Sequence, residues 1–217
     1  MTTIAIERSQ SSLFSKVSLL LSGSFIISSI GTYAGAGITS TAAMVVLLIL
    51  FLAGAFVVPL AVRASATAGV TALIVWTFIS GLFLGPAINF YAANLGWETV
   101  FLAYLGTAGV MALCGAVGVF SGFNFSGLGR WLFFALLALI VVGIVAIFVP
   151  FSHTVNIVWS LIGMGVFALF FIFDFFRAKD APNTWESAVF VTMSLHLDYV
   201  NFLLYALKLL AELARKR

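Results

Sequence analysis

The stretch Val189–Leu210, VFVTMSLHLDYVNFLLYALKLL, is long enough to cross a membrane as a helix, yet it carries a carboxylate near its middle. A bilayer core of about 30 Å takes about 20 residues of α-helix. Asp198 follows Trp185 by thirteen residues, which is about 20 Å along a helix and well inside the membrane. Inserting an acid at such a depth costs about 2.5–3.5 kcal/mol, so a functional role is the default hypothesis.

The composition of the whole chain places it in the membrane. Its 217 residues are 63% hydrophobic and only 8% charged, whereas a soluble domain is about one quarter charged. We predict an all-α membrane protein with a single domain over 1–217, a short N-terminal tail 1–16 and a basic C-terminal tail 211–217. Its seven transmembrane helices are predicted at 17–37, 42–62, 68–92, 98–120, 131–150, 154–177 and 185–210.

Positive charges collect on one side of the predicted bundle. The loops on the other side carry no lysine or arginine, although three basic residues follow the last span at 215–217. The positive-inside rule therefore predicts a cytosolic N-terminus. The apolar run from Val17 is as long as a span, so we interpret it as a retained first span and not as a signal peptide. The basic residues on the N-terminal side are Arg8, Lys16, Arg63, Arg130, Arg177 and Lys179.

Several function classes lack the residues that they require. The basic excess is topological and forms no stripe with interleaved aromatic residues, so we expect no nucleic-acid partner. The single cysteine, Cys114, can form neither a disulfide framework nor a thiol metal cluster. Metalloprotease, Gly-flanked serine and phosphate-loop motifs are missing from the sequence. We expect neither an enzyme nor a bound cofactor, and the composition makes the lipid bilayer an expected partner.

Polar residues mark one face of the last span. A second acid, Asp174, lies in the sixth span, three residues before Arg177. The sixth and seventh spans are antiparallel across a short loop, so both acids fall in the cytosolic-to-middle part of the membrane. The predicted polar stripe, which should avoid lipid, consists of Ser194, Asp198, Asn201 and Tyr205.

His196 points away from this stripe. It is expected to be a hydrogen-bonded packing residue, since no second histidine lies nearby to complete a metal site.

The chemistry of two neighbouring carboxyl groups is specific. Both cannot ionise cheaply, so the pair titrates as a unit. With a shared proton, Asp174 and Asp198 would tie two helices together; without it, they would repel each other or take up a hard cation, and carboxylate oxygens suit calcium. Arg63, at the end of the second span, either snorkels to the headgroups or reaches the two acids. A purely structural ion pair is the alternative interpretation.

Three segments together resemble the transmembrane Bax inhibitor motif family, in particular its bacterial YetJ-like members. They are GRWLFFALLALIVVGIVAIFVPFS, SLIGMGVFALFFIFDFFRA and SLHLDYVNFLLYALKLL. The similarity is strongest over residues 120–210 and continues more weakly through FISGLFLGP and Arg63. The most specific part is the LxLDxxN pattern around Asp198.

The resemblance implies a bundle in which the last helix is surrounded by the other six, and a pH-sensitive calcium leak. It also implies that Asp174, Asp198 and Arg63 form the pH-sensing and gating group, with calcium held by the two aspartates. Two positions depart from the family pattern. Phe173 and His196 stand where tyrosines are common, which could shift the range of pH over which the pair titrates.

The leading hypothesis is therefore a calcium leak channel in a bacterial inner membrane, closed by protonation of the aspartate pair. The reverse direction of gating is an alternative. The second hypothesis is a membrane regulator that does not transport and that binds a membrane protease or another membrane protein.

Overall fold

The structure is a computed structural model that describes the backbone of residues 2–215 and the side chains of residues 13–146 and 148–215. Throughout the described chain the regular structure is helical, and each of its helices contains a segment long and apolar enough to span a membrane. The predicted all-α fold with seven spans is therefore confirmed. The helices are α1 Thr2–Gly35, α2 Thr41–Ala64, α3 Ala66–Leu95, α4 Trp97–Phe120, α5 Leu128–Phe148, α6 His153–Lys179 and α7 Trp185–Ala214.

Two helices extend by four or more residues beyond an end of their predicted spans. The helix α1 starts at Thr2, and its membrane-spanning part is Leu13–Gly35. The helix α7 continues to Ala214, four residues past the predicted end, because Leu, Ala and Glu favour helix. Residues 216 and 217 of the basic tail, and the side chain of Arg8, lie outside the described part of the chain.

Single residues make two of the connections. Ser65 joins α2 to α3, and its hydroxyl accepts the backbone N–H of Ala68 at 3.1 Å, which caps the start of α3. Gly96 joins α3 to α4 with a φ of 84°, a conformation that suits glycine. At the start of α7, the Thr184 hydroxyl accepts the backbone N–H of Ser187 at 3.2 Å. Thr184 thus caps the start of α7.

The helices form two compact units. The first contains the chain up to Ala92 together with Asp180–His196, and the second contains Ala93–Lys179 together with the chain from Leu197 onward. The helix α7 is continuous and contributes its first part to the first unit and its second part to the second unit.

In the first unit, α1 and α3 pack with their backbones in contact. A Cβ atom added to Gly31 or Gly35 would meet backbone atoms of Leu82 at 3.0 Å or less, and one added to Gly81 would meet the backbone of Ser28 at 2.9 Å or less. Small residues at a four-residue spacing allow this approach. The helix α2 joins them through Trp76 of α3, whose indole N–H donates to the Phe51 carbonyl at 3.0 Å.

In the second unit, α6 packs against both α4 and α5. A Cβ atom on Gly118 would meet the backbone N–H of Phe176 at 3.1 Å, and one on Gly115 would meet the Phe175 ring at 2.9 Å. The α4 glycines therefore leave room for the bulky aromatic face of α6. This packing holds the part of α6 that carries Asp174.

The helices differ in how much of their surface the protein covers. We compare an 18-residue apolar segment, or window, of each helix. In α7, 67% of the residues in this window are buried, while the corresponding share is 44% in α3 and 11% in α5. A helix that carries polar side chains avoids lipid in this way. The position of α7 at the centre of the bundle remains a prediction.

Candidate functional site

The two membrane-embedded acids belong to the second unit, where α6 carries Asp174 and α7 carries Asp198. Only 7% of Asp174 and 5% of Asp198 is exposed. The two side chains lie close enough for a hydrogen bond to form between their carboxyl groups. The sequence predicted that these acids lie at a similar depth on consecutive helices, and the structure brings their side chains together.

This contact needs a proton. An ionised carboxylate can only accept hydrogen bonds, so a bond between two carboxyl groups requires that one of them is protonated. The second oxygen of Asp198, Oδ2, is buried and has no hydrogen-bond partner among the described residues. A buried acceptor without a partner is costly when it is charged. If both carboxyl groups were ionised, neither could donate a hydrogen bond to the other.

A positively charged side chain on α6, Arg177, lies near the aspartate pair. The Arg177 guanidinium lies 3.8 Å from Asp174 Oδ1, one turn further along α6. The Arg177 side chain is 65% exposed, and its guanidinium sits 5.4 Å from the centre of the Phe173 ring. Arg177 was interpreted from sequence only as a topological charge, although its spacing of three from an acid is a signal for a pair on one helix face.

The predicted third member of the site, Arg63, lies in the last turn of α2 and has an exposed side chain. It belongs to the first unit. Its inward reach toward the aspartates stays a prediction, and an exposed arginine at a helix end is also compatible with a headgroup contact.

The residues of the predicted polar stripe lie in different environments. Ser194 is half-buried, and the Asn201 amide donates to the Leu197 carbonyl of its own helix at 2.8 Å. Tyr205 stacks on Phe167 of α6, with ring centres 6.0 Å apart. Asn201 therefore satisfies one of its donors locally, while Tyr205 packs α7 against α6 in the same unit as the acids.

His196 belongs to the first unit. Its side chain is fully buried, and Nε2 is 3.3 Å from the Ser80 hydroxyl. The rings of Phe25 and Trp76 stand 5.6 and 5.5 Å from the imidazole. The interpretation of His196 as a hydrogen-bonded packing residue fits this environment, although its Nδ1 has no partner within the described residues.

Another contact of α7 could not be found from sequence. The Tyr199 hydroxyl, next to Asp198, donates to the backbone carbonyl of Tyr104 on α4 at 2.9 Å. The two tyrosine rings also lie near each other, with centres 6.3 Å apart. This bond fixes the position of α7 against α4 one residue away from the acid.

The donor set of the pair limits how it could hold a cation. The described residues contain no group of three or more His, Cys, Asp or Glu side chains that could hold a metal. Calcium takes six to eight oxygen ligands, and Asp174 with Asp198 supplies at most four. Backbone carbonyls and water would have to complete the shell, which suits an ion in transit better than a tightly held one.

Comparisons with known proteins show what the chain is similar to. The family model described as the inhibitor of apoptosis-promoting Bax1 matches residues 10–215. The chain is 30% identical to Bax inhibitor 1 of Schizosaccharomyces pombe over 141 residues, which are 65% of this chain and 51% of that protein. It is 32% identical to an uncharacterised membrane protein of Vibrio cholerae over 160 residues, or 71% of this chain and 68% of the other.

A viral protein matches the chain as well. The Golgi anti-apoptotic protein of Vaccinia virus is 34% identical over 144 residues, which are 65% of this chain and 57% of the viral protein.

The chain spans about half the length of the S. pombe protein that it matches. Since the family model covers nearly all of the sequence, the chain is an integral membrane protein that belongs to the family of the inhibitor of apoptosis-promoting Bax1.

Proposed function

We propose that the chain is a pH-sensitive calcium leak channel gated by protonation of the Asp174/Asp198 pair. The observation that carries the proposal is the close contact between these two buried carboxyl groups on α6 and α7, at a separation where a hydrogen bond can join them. Such a bond exists only while a proton is shared, so it links the contact between the two helices to pH.

The gating step is a loss of this proton. When both carboxyl groups are ionised, two like charges face each other in a medium of low dielectric, and they repel. The seventh helix then moves away from the sixth, or a hard cation enters and neutralises the pair. Calcium prefers carboxylate oxygens, which makes it the cation of choice for such a site.

Two arginines have roles in this proposal. Arg177, 3.8 Å from Asp174, stabilises the ionised carboxylate and so lowers the cost of losing the proton. Because its guanidinium is mostly exposed, water screens this effect. Arg63 is assigned the role of a latch at the cytosolic end, in a protein whose N-terminus faces the cytosol of a bacterium and whose helices span the inner membrane.

Calcium entry into proteoliposomes tests the proposal. We would compare wild type with Asp174→Asn and Asp198→Asn between pH 6 and 8. A gate that closes with one proton changes wild-type flux by up to roughly tenfold per pH unit. Asparagine can hydrogen-bond but cannot ionise, so each variant should lose most of this pH dependence.

The matched control is Glu98→Gln, which removes an exposed carboxylate from the first turn of α4. It should retain the wild-type pH profile. Flux and pH dependence that stay unchanged in both aspartate variants would contradict the proposal, and a pH profile of opposite sign would reverse the direction of gating.

A second candidate function is a regulator that binds a membrane protease or another membrane protein and transports nothing. The names of two relatives, Bax inhibitor 1 and Golgi anti-apoptotic protein, favour it. Co-purification of a stoichiometric membrane partner, with no calcium flux at any pH, would support this candidate over the channel.

A further inference from the structure

A second titratable pair joins α6 to α7 near the ends opposite the aspartates. His153 is the first residue of α6, and Glu212 lies in the last turn of α7. The imidazole Nδ1 is 2.7 Å from the carboxylate Oε2, and the side chains are 24% and 13% exposed. Glu212 is fourteen residues beyond Asp198, about 21 Å along the helix. The two pairs are therefore separate.

Few other charges surround this pair. Lys208, one turn before Glu212 on α7, interacts with it electrostatically. Among the described residues, the other charged ones at this end of the second unit are Glu98 on α4 and Arg215 after α7, and both are exposed. The helix α5 carries only Arg130, at its opposite end. In the sequence between Lys16 and Glu98, the one charged residue is Arg63.

Each charge of the pair is disfavoured by its own helix. The N-terminus of α6 repels a cation, and the C-terminus of α7 repels an anion. At hydrogen-bond distance in a partly buried site, the attraction between imidazolium and carboxylate exceeds these dipole effects. Each charge of the pair is therefore stabilised by the other.

The imidazole is the variable member. Histidine is the side chain that ordinarily changes charge between about pH 5 and 8. A charge-assisted hydrogen bond is roughly twice as strong as a neutral one, so the His153–Glu212 contact is stronger when the imidazole is protonated. The Nε2 atom is buried without a hydrogen-bond partner among the described residues, but the partly exposed ring lets water reach it after a small rotation.

We propose that His153 and Glu212 form a second proton-binding latch, which holds the start of α6 and the end of α7 together at acidic pH. A lower pH strengthens both this latch and the contact between the two aspartates. The two contacts therefore hold α6 and α7 together at both ends. The consequence for calcium flux rests on the proposed function, while the latch itself does not.

Thermal unfolding in detergent tests the latch without reference to transport. The variant His153→Gln can hydrogen-bond but cannot gain a proton. Its unfolding midpoint should lie about 2–4 °C below that of wild type at pH 5.5, and the gap should close at pH 8. Glu212→Gln should behave alike, whereas Glu98→Gln should follow wild type at both pH values.

The double variant His153→Gln/Glu212→Gln completes a thermodynamic cycle. If the two residues act as one unit, the double variant should lose no more than either single variant, because removing the first partner already removes the contact. Additive losses, or a gap between wild type and His153→Gln that is the same at pH 5.5 and pH 8, would overturn the latch.

Calcium flux separates the two proposals. Under the channel proposal, His153→Gln should raise flux at pH 6 several-fold and leave it unchanged at pH 8. If Asp198→Asn leaves wild-type flux unaltered, the channel proposal fails, but the unfolding midpoints still decide the latch. If Asp198→Asn alters gating and His153→Gln does not shift the midpoint, the latch alone is overturned.

Discussion

The helices α2 and α7 show that hydropathy and burial run in opposite directions in this protein. The helix α2 is the most apolar, with a mean hydropathy of 3.0, and only 17% of its window is buried. The helix α7 has a mean hydropathy of 1.3, and 67% of its window is buried. Lipid accepts apolar side chains as readily as a protein interior does, whereas polar groups must find partners inside the protein. The least apolar helix is therefore the best covered one.

The largest expected effect comes from truncating matched leucines in the two helices. Leu207 of α7 is fully buried, while Leu50 of α2 is 45% exposed. Leu207→Ala should lower the free energy of unfolding by about 2–5 kcal/mol, since it leaves a cavity. Leu50→Ala should cost about 0.5 kcal/mol or less, because lipid fills the space.

Reversible unfolding of both variants in mixed micelles measures the difference. Equal losses would mean that the contrast in burial between α2 and α7 has no energetic consequence, and the comparison would fail.

A glycine tests the narrow buried stripe of α2. Gly54 is buried, and an added Cβ atom would overlap the Trp76 side chain. This indole is held by its hydrogen bond to the Phe51 carbonyl, so it cannot move aside freely. Gly54→Ala should destabilise the protein by about 1–3 kcal/mol through overpacking.

The control for Gly54 is Gly106→Ala in α4, where an added Cβ atom meets nothing within 4 Å. That change should be neutral or stabilising by up to about 1 kcal/mol, because alanine favours helix over glycine. Thermal unfolding of the two variants side by side gives the comparison; a stable Gly54→Ala would show that α2 is held loosely even along its buried stripe.

The smallest expected effect concerns a single hydrogen bond of α7. Tyr199→Phe removes the donor to the Tyr104 carbonyl and should cost about 0.5–1.5 kcal/mol. Tyr33→Phe, at a position that is 87% exposed, should have no measurable effect. If the two variants unfold at the same midpoint, the hydrogen bond between α7 and α4 contributes nothing to stability.

Most of the fold could be predicted because a membrane span has a minimum length of apolar sequence. The runs of about 20 residues located all seven helices. Helix ends were harder to predict, since hydropathy reports where the chain enters lipid and not where the helix ends. The polar residues before Leu13 belong to α1 although they carry no signal for a span.

The candidate site could be predicted in part. An acid inside an apolar run is conspicuous, and the antiparallel order of α6 and α7 placed Asp174 and Asp198 at a similar depth. The pairing of Arg177 with Asp174 was missed, because the arginine already had an explanation as a topological charge at a membrane boundary. The bond from Tyr199 to the Tyr104 carbonyl could not be predicted, because a backbone acceptor leaves no mark in the sequence.

The bond made by Lys16 has a consequence for how the chain is assembled during synthesis. Its ammonium donates to both the backbone carbonyl and the side-chain oxygen of Asn183, at 3.2 and 3.0 Å, 167 residues later in the chain. At about 5–20 residues per second, a ribosome needs roughly 10–30 s to make that interval. The contact between α1 and the segment before α7 can therefore form only after that interval has been made, so the first unit is completed late in synthesis.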